Sequence, residues 1–185
     1  YHSVVSMNHI VSGQITHNDQ EIRFIKSKGY IEKDWGISFP KRYIWIQANQ
    51  FSDMETSLVF SLADIPMKIF TFNGFLCNLN FQGEEYRFAT YTGARINKLK
   101  AYAGGLYIQV IDRNLILEIW AKDAEHGELK SPVRGQMKGV TREGIGCRVR
   151  IRLSRSGLPL FEDTSDYGGL ERYKDEKFLE VWRKR

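Results

Sequence analysis

The chain has 185 residues, 42% apolar and 26% charged, a size suited to one domain. No run approaches the roughly 18–20 apolar residues of a spanning helix, so neither an integral membrane protein nor a disordered chain is expected. The net charge of +5 permits attraction to anionic membranes or nucleic acid without choosing between them.

Short alternating runs, separated by small turn-forming clusters, predict an antiparallel all-β protein. In chain order the expected strands are Ile10 to Thr16, Glu21 to Lys26, Tyr43 to Phe51, Thr56 to Leu62, Lys68 to Phe72, Phe75 to Phe81 and Glu85 to Tyr91. They continue with Arg95 to Ala101, Leu106 to Ile111, Leu115 to Lys122, Gly135 to Thr141, Cys147 to Leu153 and Leu158 to Thr164. The links at Asn18-Asp19, Asn73-Gly74, Gln82-Gly83, Gly104-Gly105, Arg113-Asn114 and Ser156-Gly157 carry hairpin-turn chemistry. From Leu170 to Trp182 the residues favour a short C-terminal helix with an apolar stripe. Tyr1 opens the chain with no charged-then-apolar leader behind it, the reading expected of a processed or partial product; no compartment is assigned.

One strand stands out. In Tyr43 to Phe51, Ile44, Ile46 and Ala48 line one face, and Tyr43, Trp45, Gln47, Asn49 and Phe51 line the other. A solvated face is seldom built from Tyr, Trp and Phe, so the strand is either covered by other structure or lines a ligand cavity. In Leu115 to Lys122, Glu118 shares a face with Ile116 and Trp120, where poor solvation would favour its neutral form; an exposed glutamate is the plainer alternative. The four histidines lack metal-ligand spacing, Cys77 and Cys147 form no CxxC, and no Gly-x-Ser-x-Gly elbow occurs.

Between Tyr30 and Phe51 the chain contains Glu32, Lys33, Asp34, Trp35 and Gly36, then Phe39-Pro40, then Trp45, Gln47, Asn49 and Phe51 at alternate positions. This pattern closely resembles the signature of the tocopherol cyclase family. Gly13, Leu117-Glu118-Ile119 with Ala121, the Gly127 to Pro132 loop and Gly168-Gly169 add weaker support. The resemblance implies a lipocalin-like antiparallel barrel or sandwich. It spans nearly the whole chain but fits the C-terminal part of the family. Residues 1–185 are therefore expected to form a single β domain of a longer protein, with an N-terminal half attached before Tyr1.

The implied chemistry is closure of a chromanol ring on a prenylated hydroquinone: an alkene is protonated and a phenolic oxygen captures the tertiary cation. It demands an acid in its protonated form, electron-rich walls beside the cation and exclusion of water, and it needs no redox cofactor or metal. Glu118, Glu32 and Asp34 are the candidate acids, Asp34 the weakest alone because the family accepts Asn there. Trp35, Tyr43 and Trp45 are candidate aromatic walls, and Gln47 and Asn49 candidate holders of the hydroquinone oxygens. Structural roles stand beside these: Glu32 paired with Lys33 or Arg42, and Trp35 plugging a barrel end. The implied partner is a hydrophobic small molecule, with peripheral membrane contact and no nucleic acid.

Two other readings compete. A non-catalytic lipocalin-like carrier would share an apolar cavity and need no acid inside it. An anionic-surface module would use the basic stripe of Arg134, Lys138, Arg142, Arg148, Arg150, Arg152 and Arg155, whose simpler meaning is a solvated strand face.

Overall fold

A computed structural model describes residues 2–67 and 69–183. Two long strands, β1 (His2–His17) and β2 (Gln20–Asp34), form a separate antiparallel hairpin. The other strands are β3 (Tyr43–Ala48), β4 (Ser57–Pro66), β5 (Thr71–Phe81), β6 (Glu84–Ala89), β7 (Arg95–Tyr102), β8 (Gly105–Asp112), β9 (Leu115–Lys122), β10 (His126–Val133), β11 (Gln136–Arg155) and β12 (Leu158–Tyr173). They make one antiparallel sheet in the order β6-β5-β4-β3-β12-β11-β9-β8-β7, with β10 paired to the first half of β11. One helix, α1 (Glu176–Arg183), follows. No helix among the described residues is long and apolar enough to cross a membrane.

Alternation explains the sheet's shape. Ile44 and Ile46 on β3, Phe60 and Leu62 on β4, Ile119 on β9 and Ile151 on β11 are fully buried and belong to one continuous core cluster. The long sheet therefore curls until its apolar faces meet, although the hydrogen-bonded ladder does not close and β6 and β7 remain its edges. Phe178 of α1 enters the same core, and the Trp182 indole donates to the Ile96 carbonyl at 3.1 Å, covering edge strand β7. Aliphatic and aromatic side chains thus occupy the interior, where the cyclase and the carrier readings alike expect an apolar cavity.

The all-β class and the short C-terminal helix agree with the sequence reading, as do the hairpin turns at Asn18-Asp19, Gln82-Gly83 and Ser156-Gly157, which carry positive φ. Other local expectations are corrected. Asn73 and Gly74 do not turn but run inside β5, opposite Asp64 and Ala63. Asp64 is buried, accepts from Arg42 at 2.6 Å and from the Asn73 amide at 2.8 Å, so Asn73 serves a polar anchor instead of a reversal. The chain reverses just before, where the Met67 amide donates to the Phe70 carbonyl. Of the strand expected from Lys68 to Phe72, Lys68 lies outside the described residues, as does Tyr1.

The Gly127 to Pro132 segment is strand β10 and not a loop. Residues Leu170 to Tyr173 are strand and not helix, because Leu170 pairs with Ile46 on one side and Gly144 on the other, and two ladders outweigh local helix propensity. The strand expected over Tyr43 to Phe51 stops at Ala48, leaving Asn49 and Phe51 buried in the following loop.

The basic stripe is a ladder of ion pairs. Arg150 and Arg152 both bind Glu162 of β12, Arg148 lies 3.3 Å from Asp166, and Arg142 lies 3.3 Å from Glu128. Cross-strand register thus supplies carboxylates for four of the seven basic residues of the stripe, Arg142, Arg148, Arg150 and Arg152.

Close packing of β12 gives a stability test. A Cβ on Gly168 would lie 2.5 Å from Val149 Cγ2 and 3.0 Å from the Gln47 carbonyl oxygen. Gly168→Ala is expected to destabilise the fold by about 1–3 kcal/mol, the usual cost of overpacking. The check is the urea midpoint, which an open site would leave unchanged.

Candidate functional site

The outer face of β3 is where the candidate residues converge. Its pleat sends Tyr43, Trp45 and Gln47 away from the core. The register aligns Ser61, Trp45, Glu171 and Glu143 in one row across β4, β3, β12 and β11. Gly169, the neighbour of Glu171, makes room for the indole: a Cβ there would meet Trp45 Cζ3 at 2.8 Å. The β1–β2 hairpin lies over this face, with Lys28 Nζ donating to the Asp53 carbonyl at 3.0 Å and Asn8 to the Met54 carbonyl at 2.9 Å.

Glu32 locks the hairpin to the strand beneath. One carboxylate oxygen, Oε2, accepts from Trp45 Nε1 at 2.8 Å and from the Tyr30 hydroxyl at 2.5 Å. Its partners are therefore Trp45 and Tyr30, whereas Arg42 goes to Asp64. His2 sits at the end of this cluster, 2.9 Å from Asp34 and 3.6 Å from Glu32. Burial works against protonation of His2, but the Asp34 hydrogen bond and the two negative charges outweigh it and raise its pKa. His2, Glu32 and Asp34 are the one such gathering of ligand-type side chains among the described residues. Hydrogen bonds already engage their facing atoms, so the group reads as an ion-paired clasp.

Three carboxyl groups, Glu32, Glu143 and Glu171, thus surround two aromatic side chains. Burial is the main reason that the Glu171 carboxyl is pushed up to about 8. The negative charge of Glu143 directly opposite adds to this, and Glu32 contributes from the hairpin. A hydrogen bond with Tyr43 pulls the other way without cancelling it. Burial and the facing Glu143 charge thus both favour the acid form of Glu171. Tyr43 and Tyr30 are both held well above the usual phenol range, first by burial and then by neighbouring carboxyl groups.

Tyr43 connects this buried row to an open cleft of about 700 Å³. The loop Ser38–Arg42, the β10–β11 hairpin and residues 173–177 form its walls. The Tyr43 ring stacks on Tyr173 at 5.7 Å and meets the edge of Phe39 at 6.0 Å, while its hydroxyl lies 2.6 Å from Thr141 Oγ1. The Gly135 amide bonds to the Ile37 carbonyl and the Arg134 amide to Ser38 Oγ, which fixes the Phe39-Pro40 loop against the hairpin turn.

Not every expected residue joins this site. Gln47 is one register step along the same face, with its Nε2 buried and unpartnered, and Asn49 is buried beyond the end of β3. Trp35 is half exposed, with Lys33 Nζ 5.4 Å from the ring centre, and Asp34 is exposed beside His2. Glu118 is far from this row: it lies on the outer face of β9, three strands from β3, and its own row runs through Arg152 and Glu162, nine residues along β11 and β12 from Glu143 and Glu171. There it accepts from Tyr107 at 2.5 Å and lies 3.9 Å from Arg152, with Trp120 alongside under Arg150. Glu143, Glu171, Thr141 and Tyr173 escape sequence reasoning because only the β11–β12 register, shifted by irregularities near Cys147, sets them beside Tyr43. The alternation of Gly169, Leu170 and Glu171 was the available signal.

The family model described as tocopherol cyclase-like matches residues 2–172. The chain belongs to that family. A probable chloroplastic tocopherol cyclase of Oryza sativa subsp. japonica is 26% identical over 126 residues, covering 65% of this chain and 27% of that protein. A chloroplastic tocopherol cyclase of Zea mays is 27% identical over 86 residues, 44% of this chain and 18% of its own length. The tocopherol cyclase-like domain therefore spans about a quarter of the rice relative it matches. No solved structure gives a significant match.

The raised Glu171 acidity has a stability consequence with a definite sign. Below pH 4.5 the group is protonated whether the chain is folded or not; between 4.5 and about 8 the unfolded chain releases a proton that the folded one keeps. Its contribution to stability therefore declines as pH rises through that window. Glu171→Gln is expected to flatten the dependence of Tm on pH between those values. A slope identical to that of the unaltered protein would show that Glu171 does not hold the proton.

Proposed function

We propose that this chain carries the ring-closing chemistry of a tocopherol cyclase-like enzyme, acting on a prenylated hydroquinone at the Trp45, Tyr43 and Glu171 face. The observation that carries the reading is the buried pair Glu171 and Glu143, in register with the Trp45 indole and beside the Tyr43 phenol, where burial and like charge favour the acid form. Protonation of the alkene carbon forms a C–H bond and places positive charge on the tertiary carbon. The substrate's phenolic oxygen then forms the C–O bond and releases its own proton, which returns to the carboxylate. Atoms and electrons balance as an isomerisation.

Aromatic faces are worth roughly 0.5–2 kcal/mol each to a nearby cation. Trp45, Tyr43, Tyr173 and Phe39 supply them within one neighbourhood. Glu32 keeps Trp45 oriented by holding its N–H, and Gln47, with an unused buried amide nitrogen, offers a donor to a hydroquinone oxygen. The family membership and the names of the two plant relatives support this choice of substrate. Residues 1–185 are proposed to act as one domain within a longer protein, and a lipid substrate implies peripheral contact with a membrane. A carrier needs no acid, so the Glu143–Glu171 pair beside Trp45 supports the enzyme over the carrier reading.

The test is conversion of a prenylated hydroquinone to its chromanol by the full-length protein, followed by chromatography. Glu171→Gln is expected to lower turnover about 10²–10⁴-fold, the ordinary worth of a positioned acid. Glu118→Gln and Asp34→Asn are expected to stay within a few-fold of the unaltered enzyme. Full activity of Glu171→Gln with loss in Glu118→Gln would move the chemistry to the β9 face.

A further inference from the structure

We infer that the cleft between Phe39 and Tyr173 holds the reacting end of the substrate, and that Tyr43 hands it the proton stored on the Glu143–Glu171 pair. This assignment rests on the cyclase reading and adds a ligand site and a proton route to it.

The geometry defines the route. Glu171 lies in the covered row and does not line the cleft, whereas Tyr43 and Thr141 do. Tyr43 is the common neighbour: it shares hydrogen bonds with Glu171 behind it and with Thr141 beside it. A phenolic oxygen accepts two hydrogen bonds and donates one. With Glu171 protonated, both the carboxylic acid and the Thr141 hydroxyl can donate to the Tyr43 oxygen. In that arrangement the Tyr43 proton is available to an acceptor in the cleft, which Tyr43 lines together with Phe39 and Tyr173. Those two rings and Tyr43 itself give an aromatic head group three flat surfaces and give the tertiary cation electron-rich neighbours.

The reluctance of Tyr43 to ionise explains why the pair is needed. A buried phenol held above its usual range is a poor acid by itself. If the Tyr43 proton passes to the alkene carbon while the Glu171 proton moves onto the Tyr43 oxygen, the negative charge finishes on a carboxylate and no phenolate forms. After the substrate oxygen closes onto the cation, its proton returns through Tyr43 to Glu171. Thr141 acts as a positioning residue, aiming the Tyr43 hydroxyl. The groups facing Glu171 are Glu143 from β11, Glu32 from β2 and Tyr43 from β3, and the two carboxylates favour a held proton. Arg172, the adjacent basic residue, is engaged by Asp175 at 2.9 Å and by Asp123 at 3.4 Å.

The experiment measures kcat and KM against pH for the full-length protein with a geranylated hydroquinone as probe. Turnover of the unaltered protein should fall as pH rises through about 8, where Glu171 loses its proton. Glu143→Gln should move that fall to lower pH by about one unit, because a like charge has been removed. Tyr43→Phe should lower kcat about 100-fold with little change in KM. Thr141→Val should lower kcat, and Thr141→Ser, which keeps the hydroxyl, should restore it. Normal kcat and an unmoved pH limb in Tyr43→Phe, with Glu171→Gln inactive, would overturn the route and leave the cyclase reading intact. Equal rates for Thr141→Val and Thr141→Ser would remove Thr141 from it. No chromanol from the unaltered protein would overturn both.

Discussion

The hydrogen bond from the Trp45 indole to Glu32 ties two otherwise separate sheets together at one point. Without it, the β1–β2 hairpin would be held mainly by the bonds from Asn8 and Lys28 to the Met54 and Asp53 carbonyls, in the loop between β3 and β4. With it, the outer face of β3 loses its solvent, and everything distinctive about the site follows from that loss. Glu171 becomes costly to ionise, Tyr30 and Tyr43 keep their protons, and the two acids of the row, with Glu32 above them, are tolerated within one small region. An ordinary half-buried strand, polar on one side, could not sustain this.

The two ends of the sheet treat carboxylates in opposite ways. On β9, β11 and the first half of β12, Glu118 and Glu162 meet arginines, so charge is matched and held at the surface. On β3, the second half of β12 and the start of β11, Glu143 and Glu171 meet each other, with Glu32 above them. Matched pairs steady a surface, while an unmatched pair under cover stores a proton. This contrast distinguishes the region of Trp45 from the region of Trp120, although both place an indole beside a glutamate on the outer face.

Much of the architecture was readable from alternation, because a pleated strand with one face in the core leaves a period of two in its side chains. The signature around Glu32, Trp45 and Gln47 likewise marks the outer face of β3, where Trp45 and Glu32 meet. Its acid partner was out of reach. Glu171 sits in a stretch with helix-forming residues, and only the pairing of Leu170 on both sides makes it strand. Asn73-Gly74 misleads for a related reason: the amide that usually makes a turn is instead consumed by buried Asp64. Local chemistry read these positions correctly as polar or helix-prone, and long-range register decided what they do.

That register has a cost in time. β3 begins at Tyr43 and its partner β12 ends at Tyr173, so closing the pair requires a loop of over a hundred residues to be brought together before the contact repays it. During synthesis the N-terminal strands emerge long before β12 exists, exposing the edge of β3 to other chains. The Glu143–Glu171 pair is thus among the last parts of the sheet to be completed, and a chain shortened before Leu170 would keep most of its core-forming strands while never setting a carboxyl group opposite Glu143 and Trp45.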